Sequence, residues 1–419
     1  MIVTQRIEID PTEKQKKVFE IYFGYKRYCY NRALGLAKKQ IELWKNDKKQ
    51  YPYPSSMTLR RLSREAQNDW EGLRSTQVHD TAVDDASVAL SKIKGKGTLK
   101  MPKFKTKRDT KQSCRFYRKC PRSFYLFENE NGKQKIYLPT FSSEYGTVKM
   151  KENIRQIFMQ GDDIIKQVGI TRRAGKYFAT FFIELMRDPH WKVKASNNSY
   201  CGVDLGVKTF ATITDDKGNT FTQDGIPKKL KRLYDKSDYY RRLLSFKQET
   251  KKDKIGMRSK IIKVNHIPDS KRYLKTRLKL QRNEMRITNI GHEMVHEVTS
   301  FLCKNYKVIT IEDLSVRNLL KNKKLSKVLK RSLFYEFRRQ MEDKCKAHGN
   351  TLVIADKFYP SSQTCSHCGH VKTKKDGDKL KGTQRIYRCP KCGLKLDRDV
   401  NASINLRELG KQQSGLKLA

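Results

Sequence analysis

The chain has 419 residues, too many for one ordinary domain and enough for two to four. Its 91 lysines and arginines stand against 44 aspartates and glutamates, and a formal charge of +47 repels itself unless a polyanion neutralises it. Nucleic acid is therefore the first candidate partner, while a membrane is excluded, since no run approaches the roughly 18 apolar residues of a span.

In chain order, MIVTQRIEI alternates as a strand, and Asp10-Pro11-Thr12-Glu13 reads as a helix start with Asp10 as the cap. The helix to about Trp44 interleaves Val18, Phe19, Tyr22, Tyr25, Tyr28 and Tyr30 with Lys26, Arg27 and Arg32, a mixture that suits a core or stacking on bases beside phosphates. Residues 57–95 continue helical, with Leu59, Leu62, Val78, Ala82, Ala86 and Leu90 at helical spacing. KIKGKGTLKMPKFKTKRDTKQS carries too little apolar surface for a core. Its lysines describe a phosphate-facing loop with Phe104 inside it. Tyr25, Arg27, Lys103, Phe104, Lys105, Lys107 and Arg108 are the candidate nucleic-acid contacts. Strand-like runs follow at SFYLFE, QKIYLP, IKQVGITRR and KYFATFFIEL, enough for a small β-barrel or sheet, and RDPHWKVKASNNS then reads as a polar linker.

From Tyr200 a new domain is expected. In YCGVDLGVKTFATI, Asp204 stands inside an apolar run, where an unpaired carboxylate is costly unless it meets a cation. NYKVITIEDL is a second buried strand ending at Glu312 and Asp313, and LDRDVNASINL opens a late helix with Asp397 and Asp399. Three carboxylates converging at one end of a sheet can hold two magnesium ions for phosphodiester hydrolysis. Between them lie Cys365, Cys368, Cys389 and Cys392, two CxxC pairs separated by eighteen residues after His370. Four thiolates at that spacing close a tetrahedral zinc shell and leave no position for substrate, so one structural Zn2+ is expected. Gly369 and Gly393 permit the left-handed turn each pair needs. The other six cysteines are isolated, and ten in all without a leader sequence suit a reducing compartment.

GVDLGVKTFATI, IEDL, and FYPSSQTCSHCG followed by CPKCGLKLDRDVNASINL resemble the TnpB family of transposon-encoded RNA-guided nucleases, related to compact type V CRISPR effectors. The likeness extends less specifically to the opening helices and the MPKFKTKRDTKQS loop. It implies an α/β, RNase H-like (RuvC) nuclease domain with an inserted zinc ribbon, preceded by a small wedge β-barrel and a helical recognition domain. By position it implies Asp204, Glu312 and Asp399, not Asp397, as catalytic magnesium ligands. It implies a monomer in a ribonucleoprotein with a guide RNA from the transposon end. The target is double-stranded DNA, one strand displaced, beside a short adjacent motif. Localisation would be cytoplasmic and nucleoid-associated in a prokaryote.

The expected divisions are 1–10 and 119–190 for the wedge barrel, 11–118 for the helical recognition domain and 191–199 for a linker. The nuclease domain takes 200–360 with a basic helical insertion at 227–286, the ribbon 361–396, the last nuclease segment 397–408, and a disordered tail 409–419. The insertion would line a channel for the guide–target heteroduplex. His292-Glu293-Met294-Val295-His296 spells the HExxH of zinc proteases, but Ile287, Ile290, Met294, Val298 and Phe301 form an apolar stripe that leaves His292 on the far side. A guided DNA-binding repressor, a cut-and-paste transposase and a CRISPR-associated effector are the competing readings.

Overall fold

The computed structural model describes residues 2–51, 53–65, 75–92, 101–107, 109, 111–117, 124–128, 130–138, 141–158, 163–186, 199–225, 227–256, 269–313, 333–373 and 384–414. The chain divides into two compact units, Met1–Asp188 and Pro189–Ala419.

In the first unit, strand β1 (Ile2–Asp10) leads into α1 (Glu13–Asn46), followed by α2 (Ser56–Glu65) and α3 (Thr76–Ser91). The cap of α1 is Thr12 rather than Asp10, which ends β1. Thr12 Oγ1 accepts from the Gln15 amide, and the Gln15 side chain accepts from the Thr12 amide. The remaining elements are β2 (Lys111–Tyr117), β3 (Tyr125–Glu128), β4 (Gln134–Tyr137), α4 (Ser142–Tyr145), β5 (Val148–Met150), β6 (Ile164–Arg173) and β7 (Lys176–Glu184). The strands form one antiparallel sheet in the order β2-β6-β7-β1-β5-β4-β3.

Two expectations change here. Among the described residues the sheet is open, with β2 and β3 as unpaired edges, and not a closed barrel. Alternation specifies a buried face, whereas closure requires the last strand to meet the first, and four-residue β3 pairs only with β4. Residues 111–117, grouped with the helices by sequence, are a strand of this sheet. The core is aromatic: Phe19 of α1 stacks on Phe141 with ring centroids 4.5 Å apart. The linker at 191–198, the stretches 93–100 and 257–268, and the last five residues lie outside the described residues; residues up to Gln413 of the expected tail are helical.

The second unit is built on β8 (Tyr200–Leu205), β9 (Thr209–Asp215), β10 (Thr220–Asp224), β11 (Val308–Glu312) and β12 (Thr351–Ala355), ordered β10-β9-β8-β11-β12. The last three are mutually parallel, while β9 and β10 run antiparallel. Its helices are α5 (Lys228–Gly256), α6 (Lys271–Asn305), α7 (Phe334–His348) and α8 (Arg398–Gln413), with the hairpin β13 (Ile386–Arg388) and β14 (Lys395–Asp397) just before α8.

Strand alternation sorts the two faces of this sheet. Cys201, Val203, Ile309 and Ile311 point into an apolar core with Met294, Val295, Val298 and Leu302 of α6 and Phe337 and Met341 of α7. Gly202 and Thr310 point the other way, onto α8. A methyl group at Gly202 would run into the backbone of Ser403 and Arg407, and one at Gly410 would collide with Thr310. Two glycines, one on the strand and one on the helix, thus let α8 lie directly on the sheet. Thr214 Oγ1 to Ser403 Oγ at 2.6 Å and Arg407 Nη1 donating to Asp215 O at 3.0 Å hold it there.

Candidate metal centres

Asp204 follows Gly202 by two residues, and Glu312 follows Thr310 by two, so both carboxylates share the face that α8 covers. The parallel register pairs Val203 with Ile311, which sets Asp204 and Glu312 side by side at the carboxyl ends of adjacent strands. On α8, Ser403 and Arg407 touch the sheet at a four-residue spacing, and one step back along that face is Asp399. Asp397 instead is the helix cap, its Oδ1 accepting from the amides of Asp399 at 2.8 Å and Val400 at 3.3 Å. The fold therefore brings Asp204, Glu312 and Asp399 together and employs Asp397 elsewhere.

Their electrostatics agree with that placement. Burial, then repulsion from Glu312 and Asp399, pushes the Asp204 carboxyl well above the usual range, with Arg398 acting in opposition. Burial also raises Glu312, against a hydrogen bond from Ser361 and the charge of Arg398. Asp399 accepts from Arg385 Nη1 at 2.5 Å and from Arg398 Nη2 at 3.1 Å. The Asp204 carboxylate has no hydrogen bond or ion pair among the described residues. A buried carboxylate repelled by two others and left without a donor is what an oxygen-ligated hard cation would satisfy, so this all-carboxylate set suits magnesium.

Sequence reasoning missed the groups that frame the acids. Asn401 donates to Thr364 O at 2.7 Å and accepts from the Ser366 amide, while Asn405 donates to Ser361 O and Thr364 O. These two asparagines, one turn apart in NASIN, clamp α8 to the start of the cysteine-bearing segment. That segment supplies Ser361 to Glu312 and Arg385 to Asp399. The four-residue spacing of the asparagines is the only sequence signal for this; the contacts cross long separations.

The four cysteine sulfurs all lie within 4.8 Å of one another, the only such set of three or more candidate ligands among the described residues. Cys365 and Cys392 are 3.6 Å apart at sulfur and Cys368 and Cys389 3.5 Å, close to the roughly 3.8 Å edge of a tetrahedron with 2.3 Å zinc–sulfur bonds. The two knuckles repeat one geometry. Gly369 and Gly393 both have φ of 73°, and their amides donate to the carbonyls of Cys365 and Cys389. Although burial works against it, the backbone amides of Cys392 and Lys391 help hold the Cys389 thiol down to about 6. The donors fit a zinc ribbon, and Tyr387, fully buried, is its small apolar centre.

The expected nucleic-acid contacts separate. Lys103, Phe104 and Lys107 are exposed, Arg27 and Lys105 are partly buried, and Arg108 lies outside the described residues. Tyr25 is 4% exposed, so as core it has no ring face to offer a base. On α6 the buried stripe runs through Gly291, Met294, Val295, Val298, Thr299 and Leu302, and Phe301, expected within it, is exposed. His292 stays on the exposed side, as expected, and His296 is exposed as well. Ser63, His79 and Asp80 are hydrogen-bonded in series at 2.9 and 3.0 Å, but Ser63 is fully buried and accepts from Arg32, which makes this a structural network between α1, α2 and α3.

Family models match three stretches: a helix-turn-helix domain of the OrfB IS605 type over 1–49, the OrfB IS605 model described as "Probable transposase" over 183–323, and a Cas12f1-like TNB domain over 334–406. InsQ of Escherichia coli K12, named as a candidate RNA-guided DNA endonuclease, is 26% identical over 97% of this chain and 91% of its own. A Mycobacterium tuberculosis protein with the same description is 25% identical over 96% and 85%. The TnpB-like protein L79 of Acanthamoeba polyphaga mimivirus is 30% identical over 53% of this chain and 39% of its own. Among solved structures, the Cas12f1 chain of a Cas12f1–sgRNA–target DNA complex covers 97% of this chain and 98% of its own, with a TM-score of 0.58 at 13% identity, a likeness of fold. The four-cysteine ribbon beside the acids, the OrfB IS605 and TNB models and the relatives aligned along nearly the whole chain together support assignment to the TnpB family.

Proposed function

We propose that the protein is an RNA-guided DNA endonuclease encoded by a transposable element, its second unit a RuvC-like, RNase H-like nuclease. The observation that carries this reading is that Asp204 and Glu312 lie side by side on the sheet face α8 covers, with Asp399 on the first turn of α8 facing them. The relatives named for this activity align with nearly the whole chain, which supports the substrate class. Asp204, Glu312 and Asp399 would hold two magnesium ions, which when bound supply an activated water and stabilise the leaving oxygen of a phosphodiester. Arg398 offsets part of the negative charge that the acids and an incoming phosphate share. Zinc on Cys365, Cys368, Cys389 and Cys392 would fix the ribbon, and through it Ser361 and Arg385.

Guide RNA supplies sequence choice by pairing, so the protein needs only to hold a heteroduplex by its backbone and to read a short adjacent motif. The packed helices α5 and α6 suit the first task. Asn283 of α6 donates to Leu233 O and Ser237 Oγ of α5 and Arg241 pairs with Glu284, which holds the two helices together, and their sequence is rich in lysine and arginine, the residues that meet phosphates. The test is to purify the protein from cells carrying its native locus, sequence the RNA that accompanies it, and offer the complex a plasmid library with the guide's target beside randomised flanks. Magnesium-dependent cutting of a subset of flanks is the expected result. Retention of target without cutting would replace this reading with a guided repressor.

A further inference from the structure

A polar cavity of about 300 Å³ in the first unit has no role in the chemistry above. It is lined by Lys26 and Arg27 of α1, Asp85 of α3, Lys105 and Asp109 of the loop, and Lys111, Gln112 and Ser113 of β2. The volume is at the small end of ligand sites. Its walls are fixed from several directions. Asn31 both accepts from the Lys105 amide at 2.8 Å and donates to its carbonyl at 2.9 Å, which pins the loop to α1. Gln112 donates to Thr106 O and Asp109 O and accepts from Arg27 Nη1 at 2.5 Å.

The charges inside do not balance. Four cations face two carboxylates, and the Asp109 carboxylate is already bonded to the amide and hydroxyl of Thr106. Asp85 is matched by Lys26 at 2.8 Å and by Arg115, so Lys105, 3.9 Å away, is a further cation beside a satisfied acid. Burial, then the charge of Lys26, lowers the Lys105 ammonium to about 8 despite the attraction of Asp85. The Lys111 ammonium and the Ser113 hydroxyl have no partner among the described residues. This arrangement is short of one anion. Phe104, next to Lys105, is exposed, and Lys103 and Lys107 on the same loop extend a basic surface.

We propose that this cavity seats one phosphodiester phosphate of a bound nucleic-acid strand, with Arg27, Lys105, Lys111 and Ser113 as its donors. The assignment rests on the nucleic-acid reading of the protein and adds a located contact to it. Because RNA and DNA share the phosphodiester, the experiment separates them. Affinities of the full-length protein for a fluorescent single-stranded RNA and for a DNA duplex are measured from about 50 to 200 mM salt, where each neutralised phosphate contributes about 0.7 to 0.9 to the slope of log affinity against log salt.

Lys105→Gln and Lys111→Gln should each lower that slope by nearly one contact and weaken binding about 3- to 10-fold for one of the two ligands, which identifies the strand. Lys105→Arg should retain both. Lys149→Gln, on the exposed side of β5, calibrates the loss of a single surface charge. Since Asn31 holds the loop through the Lys105 backbone, the side-chain changes should leave thermal unfolding in place, and Lys111→Gln tests the site should Lys105→Gln prove unstable. Slopes and affinities equal to those of Lys149→Gln with both ligands would overturn the site. Failure of the wild-type protein to bind either ligand would instead overturn the functional reading beneath it.

Discussion

The cysteine cluster ends a few residues before Asp399, one member of the acidic cluster, yet the two are opposite kinds of site. In the ribbon, the geometry that metal binding requires is prepared locally: four sulfurs at tetrahedral spacing, two glycine turns, and amides directed at Cys389. At the sheet end, three carboxylates are assembled from elements 87 to 195 residues away from one another, and two of them are pushed toward their protonated forms. One site is complete in itself, and the other is out of balance until something cationic arrives. A structural metal and a reactive one differ in this way, since an open, unbalanced site is the one that can exchange ligands.

The sharpest way to break the comparison is to remove one acid. Asp204→Ala should reduce cutting at least about 1,000-fold, some 4 kcal/mol of barrier, while guide and target binding measured by gel shift stay within about 2-fold. Loss of target binding in that variant would mean that the acids organise nucleic acid rather than chemistry. Removing one sulfur should act on stability instead. Cys389→Ser should abolish zinc retained through gel filtration and destabilise the ribbon by about 4 kcal/mol, the size expected when a bound metal is lost. Because Ser361 and Arg385 reach the acids from this segment, cutting should also fall in Cys389→Ser. Full zinc content after the substitution would refute the ligand assignment.

The contrast also explains what the sequence revealed. The four cysteines and their turns were readable because their geometry is local, and Gly369 and Gly393 hold the conformation their spacing demanded. Asp204 stood out because an acid within an apolar strand needs a reason, whereas the preference for Asp399 over Asp397 came from the family resemblance alone; the structure has Asp399 on the buried helix face and Asp397 as the cap. Contacts made by folding at a distance were not readable: Ser361 on Glu312 across 49 residues, the open edges of the first sheet, and β2 joining strands rather than helices. Tyr25 and Phe301 exchanged the roles assigned to them because aromatic residues at helical spacing fit either a core or a surface until the neighbouring element is placed.

A third variant tests how the acids are held together. Gly202→Ala keeps every charge but introduces a methyl group where the α8 backbone already lies, so α8 and Asp399 with it must move. A loss of about 3 kcal/mol in denaturant unfolding, with cutting reduced while zinc remains bound, is expected. Unchanged stability would mean that α8 does not seat on β8 as described.

The smallest effect is the most specific to the imbalance. The folded Asp204 carboxyl lies above its unfolded value through burial and through Glu312 and Asp399, so the folded state holds a proton that the unfolded chain releases. Below the unfolded value, near pH 4, both states are protonated and the residue costs nothing. As pH rises past that point the unfolded chain ionises first and stability falls, until the folded carboxyl also ionises. Asp204→Asn removes this penalty. Without magnesium it should be more stable than wild type at pH 7 by about 1–2 kcal/mol, and the gain should vanish toward pH 4. Magnesium should narrow the difference at neutral pH by stabilising only the wild-type chain, a linkage visible in melting temperature alone. A magnesium-free wild type as stable as the variant across that range would mean that Asp204 already has a counter-charge, and the sheet end would then be as closed a site as the ribbon.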